Sequence, residues 1–116
     1  MNFFRTIDVD CARPEADAPA RDRIEAGEPR TTTWVASETP DGKVMAGLWE
    51  ATPGRWRVEY DEWESCTVLS GVSILRGDDG TDVTVRAGDS FVIEPGFKGS
   101  WEVVETTRKV FTVKLP

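Results

Sequence analysis

The chain has 116 residues, 39% of them hydrophobic, and carries a formal net charge of −7 with no histidine. That length suits one domain with a core of its own, and so acidic a surface excludes nucleic acid as a partner unless basic residues gather on one face, which they do not in sequence. No apolar run approaches the ~18 residues of a membrane span, and Met1 to Asp10 lacks the basic-then-apolar order of a secretory leader, so a cytoplasmic protein with no membrane partner is expected.

Residues 1–30 read as an N-terminal arm. From Cys11 to Pro29 the sequence CARPEADAPARDRIEAGEP mixes Pro, Ala and charge with almost no large apolar side chain, too little to order itself alone. Such an arm either stays mobile or docks on its own barrel or a partner's with Phe3, Phe4, Ile7 and Val9 as anchor, and docking is the expectation of the two. Cys11 and Cys66 lie far apart in unlike surroundings, and reduced thiols suit the expected compartment.

Residues 31–116 change character: short apolar runs are separated by Gly, Pro and Asp at close spacing, the signature of an all-β sandwich or barrel. Strands are predicted at TTTWVAS (31–37), VMAGLWEA (44–51) and RWRVEY (55–60), the last alternating charged and apolar with period two. ETPDGK and TPG supply the turns between them. SCTVLSG and VSILR are predicted as two strands broken at Gly71, and GDDG (77–80) marks a hairpin. TDVTVR, SFVIE, SWEVVE and RKVFTVKL complete the set, and no helical periodicity competes. So many short strands in one domain predict a jelly-roll barrel, in which two sheets fold on each other.

GRWRVEYDEWESCTVLSG followed by AGDSFVIEPGFKGSW resembles the two successive motifs of cupins, small jelly-roll barrels also called double-stranded β-helices. The likeness runs from about Trp34 to Leu115 and is greatest to single-domain, RmlC-like cupins related to (S)-ureidoglycine aminohydrolase and to the ethanolamine-utilisation cupins. Its more specific parts are the DGKVMAGLWEATPG entry, Glu64 with Gly71 seven positions on, the Gly88-Asp89 turn, Pro95-Gly96, and the closing KGSWEV and RKVF segments.

The resemblance implies a divalent metal held inside the barrel by two histidines and a glutamate from the first motif and a further histidine from the second. Carried onto this chain, the glutamate position is Glu64, the first two histidine positions are Val58 and Tyr60, and the last is Gly99. Val and Gly offer no donor atom, and a protonated phenol binds divalent ions poorly. No intrinsic metal and no cofactor are therefore expected. The neighbouring acidic residues Glu59, Asp61 and Glu62 read as a solvated turn rather than a substitute cage.

Alternation places Trp56, Val58 and Tyr60 inside the barrel, with Arg55, Arg57 and Glu59 outside. It also points Glu64, Cys66 and Val68 inward, with Gly99, Trp101 and Val103 opposite and Lys98 at the mouth. The candidate ligand-binding set is thus Trp56, Tyr60, Glu64, Cys66, Lys98 and Trp101. Glu64 and Tyr60 are the candidate acid and base if the barrel is catalytic, and Glu64 is expected to find its structural partner in Tyr60, Arg57 or Lys98. Cys66, with no imidazole to activate it, reads as an inert buried thiol. The RKV segment (108–110) and apolar Leu69, Val104 and Val110 read as surface, the last three as an outward stripe suited to a homodimer.

Three functional readings remain open. The barrel binds a small polar or anionic molecule without metal; or it is an enzyme of the ureidoglycine aminohydrolase type acting on a ureido acid or related small metabolite; or it is a structural dimer whose interior Trp56, Tyr60 and Trp101 fill. Lack of histidine rules out any mechanism that draws an imidazole from this chain.

Overall fold

In the computed structural model, residues 3–116 are described. Among the described residues, nine strands run in chain order: β1 Glu15–Asp17, β2 Ile24–Gly27, β3 Thr31–Glu38, β4 Val44–Ala51, β5 Gly54–Glu59, β6 Trp63–Gly77, β7 Asp82–Arg86, β8 Ser90–Ile93 and β9 Lys98–Lys114. A single 3-10 turn at Arg21–Arg23 is the one helical element among the described residues.

All pairings are antiparallel, and two long strands, β6 and β9, belong to both walls of the barrel. The first wall runs β1, β3, β4, the C-terminal half of β9, the N-terminal half of β6, then β8. The second runs β2, β5, the N-terminal half of β9, the C-terminal half of β6, then β7. The break expected at Gly71 is a bend within one strand rather than a gap between two. Gly71 has φ +88°, and a Cβ there would stand 2.1 Å from the Thr106 carbonyl oxygen, so only glycine lets β6 turn this corner against β9. Likewise SWEVVE and RKVFTVKL are two halves of β9, bending where β6 bends.

The bend also shifts the pattern of burial. On β6 the even positions Glu64, Cys66 and Val68 are buried before the corner and the odd positions Ser73 and Leu75 after it, because register shifts between Val68 and Ser73 absorb the turn. On β9 the odd positions Trp101, Val103, Thr107, Lys109 and Phe111 are buried along its length. Ala51, Trp56, Val68, Leu75, Val85, Ile93, Trp101 and Val103 form the core between the walls; each buried large side chain contributes ~1.5–3 kcal/mol relative to exposure.

The arm docks on its own barrel. β1 pairs with β3 at the edge of the first wall, and β2 pairs with β5 at the edge of the second. The intervening residues 18–23 therefore cross from one sheet to the other, a strap over the open side of the barrel. Of the expected surface stripe, Leu69 and Val104 are exposed, while Val110 is half-buried.

Candidate functional site

A cavity of about 580 Å3 opens between the walls. β5 contributes Trp56 and Val58, with Tyr60 just beyond it, and β6 contributes Glu64. β9 adds Trp101, Lys109, Phe111 and Val113, β4 adds Met45 and Trp49, and β3 adds Thr31, Thr33 and Val35. Glu15 of β1 and Ala18, Pro19 and Arg23 of the strap, with Arg57, Glu59 and Glu62, complete the lining.

At its floor lies an ion pair. Lys109 Nζ donates to Glu64 Oε2 at 3.1 Å, and the two residues are 3% and 8% exposed. The same ammonium stands 3.5 Å from Cys66 Sγ and lies over the faces of Trp49 and Trp101, 4.6 and 4.4 Å from the ring centroids. β9 lies beside β6 with Lys109 opposite Val68, so the lysine stem runs back along β6, past Cys66, to reach Glu64. Carboxylate and π-faces together give a cation removed from water the counter-charge it needs.

Trp101 is fixed from behind. Its Nε1 donates to Ser73 Oγ at 3.2 Å, the Ser73 and Thr107 hydroxyls share a bond of 2.7 Å, and Thr107 Oγ1 donates to the Glu105 carbonyl at 2.8 Å. Ser73 and Thr107 are fully buried, so this chain of bonds satisfies every hydroxyl it buries across the corner of β6 and β9.

Burial, reinforced by the negative Glu64 nearby, holds the Tyr60 hydroxyl protonated well above the ordinary tyrosine range. Burial pushes the Cys66 thiol up to about 12, with Lys109 opposing and Glu64 adding to the shift. Both are neutral donors at physiological pH.

Of the candidate residues, Trp56, Tyr60, Glu64 and Trp101 meet at this cavity. Cys66 lies behind the ion pair, buried rather than lining. Lys98 is exposed and lies outside the cavity lining: Gly99, buried against the backbone of β6, and Lys98 take opposite faces of β9, which turns the lysine to solvent. Of the expected partners of Glu64, Tyr60 does interact with its carboxylate, whereas Arg57 and Lys98 do not. Arg57 makes a two-pronged bond to Asp78, and Lys109 takes Glu64. RKV is surface only in part, since Lys109 points inward between half-buried Arg108 and Val110. Glu59 and Glu62, expected in a solvated turn, line the cavity mouth.

The metal that the fold family implies does not fit this interior. Val58 has no donor. A Cβ at Gly99 would stand 2.0 Å from the Arg76 carbonyl oxygen, so that position has no room for any side chain. The Tyr60 phenol keeps its proton, and Glu64 faces an ammonium that would repel a second cation. No group of three or more His, Cys, Asp or Glu is placed to hold a metal ion among the described residues.

Residues 38–111 match the family described as the EutQ-like cupin domain. No curated protein matches the chain. Among solved structures, the chain is similar to a DUF861-family protein of unknown function from Pseudomonas syringae pv. tomato (TM-score 0.82, 20% identity), covering 93% of this chain and 46% of that one, so it spans about half of that protein's length. It is also similar to the Clostridium difficile EutQ protein (TM-score 0.67, 17% identity, covering 99% and 96%) and to a Thermotoga maritima protein described as a predicted oxalate decarboxylase (TM-score 0.69, 19% identity, covering 96% and 99%). At these identities the neighbours establish the jelly-roll fold, and none of them singles out the ureidoglycine branch. The chain belongs to the EutQ-like cupin domain family.

Proposed function

We propose that this barrel binds a small polar molecule in its interior without a metal. The observation that carries the reading is the combination of an open volume of about 580 Å3 with a buried Lys109–Glu64 pair at its floor. The volume is in the range of small-molecule sites, and such sites set a few polar groups in apolar, aromatic walls. A structural barrel plugged by Trp56, Tyr60 and Trp101 would leave no such space. The enzyme reading, with Glu64 and Tyr60 as base and acid, draws less support, because Lys109 holds the carboxylate that would have to accept a proton. The anionic part of the ligand expectation draws less support as well: Lys98 is turned away, and Glu15, Glu59 and Glu62 line the cavity.

Native mass spectrometry of untagged protein, followed by extraction under denaturing conditions, tests the proposal. The expected result is a small molecule retained by the wild type and lost in Thr33→Trp, which places a ring in the cavity from β3. Retention by both proteins would locate the ligand elsewhere. A wild-type barrel that retains nothing and gives no contact with a fragment library by ligand-observed NMR would overturn the reading.

A further inference from the structure

We infer that the cavity selects a neutral, planar molecule whose head sets one hydrogen-bond donor beside one acceptor, the chemistry of a primary carboxamide or lactam, and rejects the anion of the same shape. The inference rests on the reading of the cavity as a ligand site and names the ligand class.

The floor supplies the complement of such a head. Lys109 and Glu64 both line the cavity, and their charges cancel in the 3.1 Å bond between them. The ammonium has three N–H groups, directs one to Glu64 Oε2 and another to Cys66 Sγ, and lies between the faces of Trp49 and Trp101; the third is the donor assigned to the ligand. Glu64, which Tyr60 also reaches, keeps further lone pairs on its carboxylate oxygens as acceptors. A neutral pair that shows a donor and an acceptor side by side matches an amide in two directions at once. A carboxylate would meet Lys109 only by also facing Glu64, a like-charge contact. The protonated Tyr60 hydroxyl, turned to Glu64, keeps the same corner neutral.

The walls and the mouth agree with the floor. Trp56 and Trp101 line the cavity with flat π-surfaces, and Trp101 is locked by its bond to Ser73, so a planar body is accommodated without reorganisation. At the mouth, Glu15, Glu59 and Glu62 form no ion pair among the described residues; Arg23 opposes them, and so in part does Arg57, which Asp78 engages and Glu59 also attracts. An anion entering the cavity crosses a field that is negative on balance and only partly screened over such distances.

Matched probes test this on the intact chain: benzamide against benzoate and nicotinamide against nicotinate, titrated at neutral pH by ligand-observed NMR and calorimetry. Each amide is expected to bind about tenfold more tightly than its acid, with the gap narrowing as salt is raised. The variant Glu59→Gln with Glu62→Gln, at the rim and away from the floor, is expected to fold and to narrow the gap by admitting the acid. Acids that bind as tightly as the amides, or a gap indifferent to both salt and the rim variant, would overturn the inference and leave the cavity reading standing. Absence of binding by all four probes, together with retention of a charged molecule through purification, would overturn the inference alone; absence of both probe binding and any retained molecule would remove the cavity reading with it.

Discussion

Lys109 reaches from β9 to Glu64 on β6 and places its Nζ 3.1 Å from Oε2, with both residues almost sealed from water. A carboxylate buried in an apolar barrel needs a cation, and here the chain supplies its own, flanked by the faces of Trp49 and Trp101. The interior is thus electrically complete without an added ion.

Breaking this pair from one side leaves a buried charge uncompensated. Lys109→Met is expected to lower unfolding free energy by about 3–5 kcal/mol, whereas Glu64→Leu combined with Lys109→Met recovers most of the loss by replacing both charges with apolar volume. Guanidinium denaturation of wild type, both single variants and the double variant gives the coupling directly. Additive losses would mean that the two side chains do not act as a pair.

The corner of the barrel depends on Gly71. Alanine there combines a left-handed φ with a Cβ placed 2.1 Å from the Thr106 carbonyl oxygen, so Gly71→Ala is expected to cost more than ~2 kcal/mol. Gly80, also at positive φ but with nothing near its missing Cβ, serves as the control: its alanine variant pays the conformational strain alone. Equal losses at the two sites in urea melts would remove the steric part of the argument.

The bond from Trp101 Nε1 to Ser73 is part of the hydroxyl chain behind the cavity wall. Ser73→Ala leaves the buried indole N–H without its acceptor, while Thr107 keeps its bond to the Glu105 carbonyl, at a cost of ~1–3 kcal/mol. Tryptophan emission should shift with the change in environment. A variant as stable as wild type would show that the indole N–H finds another acceptor.

Cys66 is expected to be inert in the native state. With its thiol pushed up to about 12 by burial, it should resist a thiol-reactive dye at mildly alkaline pH, while half-buried Cys11 reacts. Both should react after unfolding. The shift has a consequence for stability: the unfolded thiol loses its proton near its ordinary 9.0 and the folded one only near 12, so between those values the unfolded state binds fewer protons. Stability therefore falls as pH rises from about 9 toward 12, and Tyr60, shifted in the same sense, adds to the fall. A Cys66→Ala variant should lose part of that alkaline slope.

Strand positions were legible in the sequence because period-two alternation and turn residues are local signals; β4 runs over the predicted residues Val44–Ala51. The continuity of β6 and β9 was not, since a glycine inside an apolar run reads as an ending when it is a corner held by a facing strand. Trp56, Tyr60, Glu64 and Trp101 were placed on the inner face by parity, and they line the cavity. Lys109 was missed although it shares parity with Trp101, Phe111 and Val113. Its charge, and the basic neighbour Arg108, argued for the surface, and only the approach of Glu64 from another strand makes a buried lysine stable. Trp49 was passed over for a similar reason: its role depends on the ammonium above it. The pairings of β1 and β2 to opposite walls were not legible, since they depend on edges that the barrel alone provides.

The account turns on the cation inside the barrel being the Lys109 ammonium rather than a metal. The direct measurement is elemental analysis and calorimetric titration of untagged, chelator-treated and dialysed protein with Mn, Co, Ni and Zn ions, alongside Glu64→Gln. The account predicts no stoichiometric binding and a melting temperature indifferent to these ions in both proteins. Stoichiometric metal in the wild type that disappears in Glu64→Gln would contradict it, and would return Glu64 to the role of ligand.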